Sequence, residues 1–313
     1  MNASSVSVII PTKNRPSDLL IAFRSLLRQT VPPTQIAIVD QSSNDAAIGS
    51  LRSELGGIDG VHLDYVYDPS LSGAAAARNR AMDLATGDIW LFLDDDVDLE
   101  LDFIQRLLEA YEKLPHAAGL SGIITNYTVP SMLPRLWTAI FARGPFYDER
   151  QPIYWGCEGL RNSDPIEVKN FTSALMSFRQ SVVRDVRFDP NYPGALAEDV
   201  DFCLQLPAET RMFIVPQARL AHNRSPVNRI NSHWLRGQAE SSHYLYERHL
   251  KRALRSRICF GWLKVGYAIA LVATCARRRS LEGWRALLAG RAAGKAYAHP
   301  ETRFKAHLDM PIK

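Results

Sequence analysis

The chain has 313 residues, 46% of them hydrophobic and 22% charged, which excludes a disordered or fibrous protein and leaves room for one large domain or two smaller ones. The formal net charge of +4 hides a division: 19 of the 37 Lys/Arg but only 5 of the 33 Asp/Glu lie from Arg219 onward, leaving 18 against 28 in residues 1–218. An acidic body joined to a basic tail predicts a tail that meets an anionic surface, and no nucleic-acid partner is expected.

Val6 to Ile10 is a short β-branched run, read as a buried strand. After the loop Pro11 to Pro16, Ser17 reads as the N-cap of a helix running to Gln29, with Leu19, Leu20, Phe23, Leu26 and Leu27 as its apolar stripe. A strand over Gln35–Asp40, a helix near Ala46–Leu55, a strand near Val61–Tyr67 and an Ala-rich helix over Ala74–Ala85 follow. The strand Asp88–Leu93 runs into Asp94-Asp95-Asp96, and an amphipathic helix is expected over Leu99–Leu114. This alternation predicts an α/β fold, a mostly parallel sheet with helices on both faces. Ligands of such sheets bind beyond the carboxyl ends of the strands, where Pro11-Thr12, Asp40 and the three aspartates gather.

Beyond about residue 125 the pattern loosens into a stretch rich in proline and aromatics, among them Pro130, Pro145, Pro152, Trp137, Phe146, Tyr147, Tyr154 and Trp155. Strand and helix resume from Ser173 to Val215, and long basic helices are expected from Ser232. The expected division is a body over 1–230 and a basic, partly apolar helical region over 231–313. Cys157, Cys203, Cys259 and Cys275 have neither metal-ligand nor redox spacing and read as reduced thiols. The start of the chain lacks the basic and long apolar regions of a signal peptide, so the body is expected in the cytoplasm.

Four stretches carry chemistry. Three adjacent carboxylates at a strand end repel one another unless a cation or hydrogen bonds hold them. Hard oxygen ligands suit Mg²⁺ or Mn²⁺, while a solvated turn is the plainer reading. Asp40 can accept hydrogen bonds from a nucleobase or ribose, or merely close a turn. Ser72 to Arg80 joins small residues to Arg78 and Arg80, which fits a phosphate clamp or an ordinary Ala-rich helix with a basic face. Asp199, in Ala197-Glu198-Asp199-Val200-Asp201, can take a proton from a hydroxyl, or simply complement a helix N-terminus.

Taken together and in order, Val6–Arg15, Ile38–Ser43, Ala77–Ala81, Leu93–Asp96 and Glu198–Asp201 resemble the family-2 glycosyltransferases, which have the glycosyltransferase A-type fold, over roughly residues 5–225. The resemblance implies inverting transfer of a sugar from a nucleoside-diphosphate sugar, with uridine diphosphate the default, to a hydroxyl of a glycan or lipid-linked acceptor. It implies Asp40 as the reader of the base, and Pro11, Thr12, Arg15, Arg78, Asp94 and Asp95 around the nucleotide and diphosphate. Asp94 and Asp96 match the two carboxylates of the family's Asp-any-Asp motif, with Asp96 the direct ligand of Mn²⁺ or Mg²⁺. His222 stands where such enzymes place a histidine near the metal, and Asp199 matches the catalytic base. The chain departs from the family at Gln41 and at Thr172-Ser173, which loosens what is implied about donor and acceptor. The motif of processive synthases is absent after the base, so single transfer is implied. A nucleotidyltransferase of sugar phosphates and a non-catalytic sugar-nucleotide-binding module are the rival readings. The missing glycine in Pro11–Arg15 argues against the first, and the joint presence of Asp40, Asp96 and Asp199 against the second.

In the tail, Cys259–Ala276 is apolar apart from Lys264 and basic at both ends. A spanning helix needs about 20 apolar residues. A helix lying in the surface of an anionic membrane is therefore the expectation, with a span or a buried soluble or oligomer-forming helix as alternatives. A peripheral place on the cytoplasmic face of a bacterial inner membrane follows.

Overall fold

A computed structural model of the chain describes residues 4–56, 58–127, 131–142, 160, 162–172, 174–192, 197–223, 234–251, 253–278 and 282–298. Within the proline- and aromatic-rich stretch beyond residue 125, residues 128–130 and 143–159 fall outside this set, as do Ser173, Arg252 and Arg279. The chain divides into two compact units. The first holds Met1–Val129, Pro152–Pro190 and Phe202–Arg229, and the second holds Pro130–Gln151, Asn191–Asp201 and Ile230–Lys313.

The first unit is built on one mixed sheet. Its strands are β1 (Val6–Thr12), β2 (Gln35–Asp40), β3 (His62–Tyr67), β4 (Ile89–Leu93), β5 (Val97–Leu99), β6 (Gly119–Ile124), β7 (Ile166–Val168), β8 (Leu175–Arg179) and β9 (Met212–His222). They lie in the order β3-β2-β1-β4-β8-β6-β9-β5, with β7 also paired to β9. One half, β3, β2, β1 and β4, is parallel, as the β-α alternation requires. β8 then runs antiparallel between β4 and β6, and β9 runs parallel to β6.

Period-two alternation sorts the side chains to two cores. Val6, Val8, Ile10, Ile89, Leu91 and Leu93 face one layer, packed by Leu19, Phe23 and Leu26 of α1 (Pro16–Leu27), Leu51 of α2 (Ala47–Leu55) and Phe103 and Leu107 of α4 (Phe103–Lys113). Ile9, Trp90 and Phe92 face the other, with Ala77 and Ala81 of α3 (Ala74–Met82) and Val183 of α6 (Gln180–Val183). Strands covered on both faces read as continuous apolar runs, which is why β1, β2 and β4 were legible.

Two expectations are corrected. Ser17 does not cap α1: Arg15 is the N-cap and Pro16 takes the first turn, where its missing N–H costs nothing. The helix expected from Leu99 starts at Phe103, because Val97–Leu99 pairs antiparallel with β9 instead. Three residues are too short for a period to show, and the pairing partner lies over a hundred residues away in the chain.

The second unit is helical, with α5 (Met132–Phe141), α8 (Trp234–Leu245), a π-helical turn (Tyr246–Leu250), α9 (Leu254–Arg278) and α10 (Glu282–Ala298). The seven-residue α7 (Glu198–Leu204) begins within its segment Asn191–Asp201. Among the described residues no helix is long and apolar enough to cross a membrane. Cys203 and Cys259 are buried free thiols, and Cys157 lies outside the described residues.

Candidate active site

Loops after three parallel strands build the site of the first unit. β1 and β2 are in register with Thr12 beside Asp40, so both strand ends deliver polar groups at one edge. Asn14, at φ 56°, turns the chain in the left-handed region that Asn tolerates. Its amide donates to Ser42 Oγ at 2.7 Å and its Oδ1 accepts from Ser43 N–H at 2.9 Å, so the two loops are stitched together. Gly73, at φ 87°, makes the sharp entry into α3 that other residues resist, and its carbonyl accepts from Gln41 Nε2 at 2.8 Å.

Asp40 is buried. Its Oδ1 accepts from Ser42 N–H at 2.8 Å and its Oδ2 from the Tyr65 phenol at 2.5 Å. Burial, then the Asp40 carboxylate, push the Tyr65 phenol well above its ordinary value, so it stays a donor. Each carboxylate oxygen keeps a second lone pair for a ligand. Tyr65 was not singled out from the sequence; it reaches Asp40 only because β3 pairs with β2, with Ile38 beside Tyr65.

The three aspartates diverge. Asp94 accepts from Arg78 Nη2 at 2.8 Å. Arg78 is only 2% exposed and lies over the Phe188 ring, so α3 presents it to Asp94. Asp95 turns to β1 and α1, accepting from Thr12 Oγ1 at 2.7 Å and from Arg15 Nη1 at 3.0 Å. Burial pushes the Asp95 carboxyl up to about 6, against the opposing pull of Thr12 and Arg15. Pro11 is buried in β1, opposite Val39.

Asp96 meets His222, whose Nε2 lies 2.8 Å from Asp96 Oδ1 and 3.9 Å from Asp94 Oδ2. The β5–β9 pairing causes this, because Val97 is in register with His222 and the Asn223 amide donates to the Asp96 carbonyl at 2.7 Å. Behind the ring, Tyr127 Oη stands 2.7 Å from His222 Nδ1, and Asn126 Oδ1 accepts from the His222 amide at 2.9 Å. Asn126 and Tyr127 were not read from the sequence as partners of His222, and ninety-odd residues of separation leave no local signal. One ligand atom each from Asp94, Asp96 and His222 lies within 4.8 Å of the others. Two carboxylate oxygens and an imidazole nitrogen so placed fit a divalent cation, and the Tyr127 phenol fits the outer partner that a metal-holding histidine needs.

Asp199 belongs to the second unit. It is 7% exposed and its Oδ1 accepts from the Val200 amide at 2.8 Å. Ala197, two residues earlier, holds φ 68°, a strained conformation for alanine. Asp201 is fully buried, with His249 Nε2 at 2.7 Å and Arg248 Nη1 at 3.3 Å from its oxygens.

The comparisons with known proteins agree with this fold. Residues 7–187 match the family model described as Glycosyl transferase family 2. The chain is 27% identical over 230 residues to the glucosyl-dolichyl phosphate glucuronosyltransferase of Haloferax volcanii, covering 69% of this chain and 68% of that protein. It is 26% identical over 196 residues to the amylovoran biosynthesis glycosyltransferase AmsB of Erwinia amylovora, covering 60% of this chain and 63% of that one. In fold it is similar to the mannosyltransferase PcManGT of Pyrobaculum calidifontis, solved with GDP-Man and Mn²⁺, at a TM-score of 0.56 and 18% identity over 98% of this chain and 84% of that chain. It is likewise similar to TarS 1-349 of S. aureus, at a TM-score of 0.62 and 16% identity over 96% and 82%. The chain belongs to glycosyl transferase family 2 and is a glycosyltransferase.

Proposed function

We propose that this enzyme transfers one sugar, with inversion, from a nucleoside-diphosphate sugar to a hydroxyl of a glycan or lipid-linked acceptor. The observation that carries the reading is the convergence of Asp94, Asp96 and His222 at the strand-end edge that also carries Thr12, Arg15 and Asp40. Asp40 holds the base or ribose, pre-set by Ser42 and Tyr65. Asp94, Asp96 and His222 hold a divalent cation, Mn²⁺ or Mg²⁺, which when bound supplies positive charge against the diphosphate. Arg15, fixed by Asp95, and Arg78, fixed by Asp94, set the charge of the surrounding wall.

In the reaction the acceptor oxygen bonds to the anomeric carbon as the bond from that carbon to the diphosphate oxygen breaks. The electron pair leaves with the diphosphate, and the hydroxyl proton goes to Asp199. One displacement inverts the configuration. General base catalysis of this kind contributes about 10²–10⁴-fold. The Haloferax relative is named for a dolichyl-linked substrate and the Erwinia relative for a polysaccharide, which supports a lipid-linked or growing-glycan acceptor. Uridine diphosphate is the proposed donor nucleotide.

A thermal-shift screen of sugar nucleotides with Mn²⁺ tests the reading. A ligand at 100 times its Kd stabilises by about 2.7 kcal/mol. Stabilisation by a uridine diphosphate sugar above the guanosine and thymidine ones supports the proposal. A larger shift with a guanosine diphosphate sugar, the donor present in the Pyrobaculum structure, would replace the nucleotide. No shift with any of them would overturn the donor class.

A further inference from the structure

We infer that α5 and α9 together form a surface that docks on an anionic lipid bilayer. The argument rests on the second unit alone and stands whatever the donor proves to be.

On α9 the exposed apolar residues are Leu254, Ile258, Val265, Ile269 and Val272, 46% to 68% exposed. Their intervals of four, seven, four and three residues put them on one stripe of the helix. Cys259, Phe260, Leu263 and Gly266 are turned inward. Lys264, the charge expected to interrupt the apolar run, lies off this stripe with its ammonium 4.9 Å from the Phe260 ring centroid.

α5 adds a second apolar edge. Met132, Leu133, Leu136 and Ile140 are 43% to 79% exposed and share one side of the helix. Its other side grips α9: Trp137 Nε1 donates to the Gly266 carbonyl at 3.0 Å, and Trp262 Nε1 donates to the Ile140 carbonyl at 2.7 Å. Phe141 packs on Trp262 and Trp137 on Tyr267, with centroids 5.2 and 5.4 Å apart. The indoles satisfy their donors between the helices, so the exposed residues are left over rather than needed for this packing. Nine large apolar side chains on two joined helices exceed the scattered exposure of an ordinary surface.

Charge decides the occupant. α5 carries Arg135 and α9 carries Arg255, Arg257, Lys264, Arg277 and Arg278, and neither helix has an acidic residue. Arg255 and Arg257 are exposed and border the stripe. A second copy on a two-fold axis would set these cations against themselves. An anionic bilayer accepts both the apolar stripe and its cationic border, and each basic residue near such a surface adds roughly 1 kcal/mol to binding. With no helix among the described residues long and apolar enough to span, the helices lie in the interface. The docked unit would bring the enzyme to acceptors carried on lipid.

The test is flotation of the full chain, without substrates, on vesicles of phosphatidylcholine alone or mixed with phosphatidylglycerol, at low and high salt. Binding to the mixed vesicles at low salt is expected, and Leu136→Glu or Ile269→Glu should each weaken it at least about tenfold. The pair Arg255→Gln with Arg257→Gln should weaken it and flatten its salt dependence, and carries the test should a glutamate variant fail to fold. Wild-type protein that does not float, or variants that float as well as wild type, would overturn the inference. So would a dimer in sedimentation velocity that Leu136→Glu dissociates while flotation is unchanged.

Discussion

The Tyr127 phenol stands 2.7 Å from Nδ1 of His222, on the far side of the ring from Asp96. A cation held at Nε2 would require the ring proton on Nδ1, where the Tyr127 oxygen is placed to accept it. Tyr127→Phe keeps the ring packing and removes that acceptor. Mn²⁺ affinity in the presence of a nucleoside diphosphate should fall about 10- to 100-fold by titration calorimetry. Unchanged affinity would make Tyr127 a packing residue only.

Asp96→Ala removes one of the three proposed ligand groups. Transfer activity should be lost, and the gain in nucleoside-diphosphate affinity conferred by Mn²⁺ should shrink. Calorimetry with and without Mn²⁺ measures both terms, and a mutant that keeps the full Mn²⁺-dependent gain shows that the cation binds elsewhere. His222→Ala is the companion, expected to weaken Mn²⁺ binding without changing metal-free nucleotide binding.

Asp199→Asn is nearly isosteric but cannot take a proton. The initial rate of transfer should drop at least about 10²-fold with donor affinity little changed. Wild-type turnover in this variant removes Asp199 from the mechanism.

The buried Asp201 depends on His249 and Arg248, which the π-helical turn Tyr246–Leu250 presents on successive residues. His249→Leu leaves one carboxylate oxygen without its 2.7 Å contact, at a cost of about 1–3 kcal/mol. A Tm lower by several degrees is expected, with partial recovery in His249→Gln, which restores a donor. Equal Tm values for wild type and His249→Leu would show that Arg248 suffices.

His243 of α8 is buried, and its Nδ1 lies 2.8 Å from the Ala239 carbonyl. Burial, with the nearby cations Arg291, Lys264 and Lys295, lowers it from 6.5 to about 4. The unfolded chain therefore binds the proton more readily, so stability is full above the unfolded value and falls as pH drops from 6.5 towards 4. The loss should not exceed about 3 kcal/mol. Denaturant unfolding across this range should show a shallower fall for His243→Leu, and identical pH profiles would refute the coupling.

Much of the first unit was legible in the sequence because burial on both faces forces continuous apolar runs. β1, β2 and β4 are such runs, and they end at or just before the polar residues of the candidate site: Thr12, Asp40 and Asp94. Periodicity likewise gave α1 and α4, with errors at their starts, and alanine content gave α3, which starts at Ala74 as expected and ends at Met82 rather than Ala85. Pro16 rather than Ser17 settles the entry of α1, and a pairing three residues long displaces the start of α4.

The sequence by itself therefore determined the strand-helix alternation, the family motifs and the apolar run at Cys259–Ala276, since these depend on neighbours within a turn or a strand. Only the tertiary structure decided which carboxylate faces which partner. Three adjacent aspartates look alike in sequence, yet Asp94 turns to Arg78, Asp95 to Thr12 and Arg15, and Asp96 to His222. Successive side chains leave the backbone in different directions, and the groups awaiting them come from β1, α3 and β9. The same holds for α5, whose exposed apolar edge is invisible as such in a proline- and aromatic-rich stretch. It becomes a surface only because Trp137 and Phe141 are used up on α9, leaving Met132, Leu133, Leu136 and Ile140 on the outside.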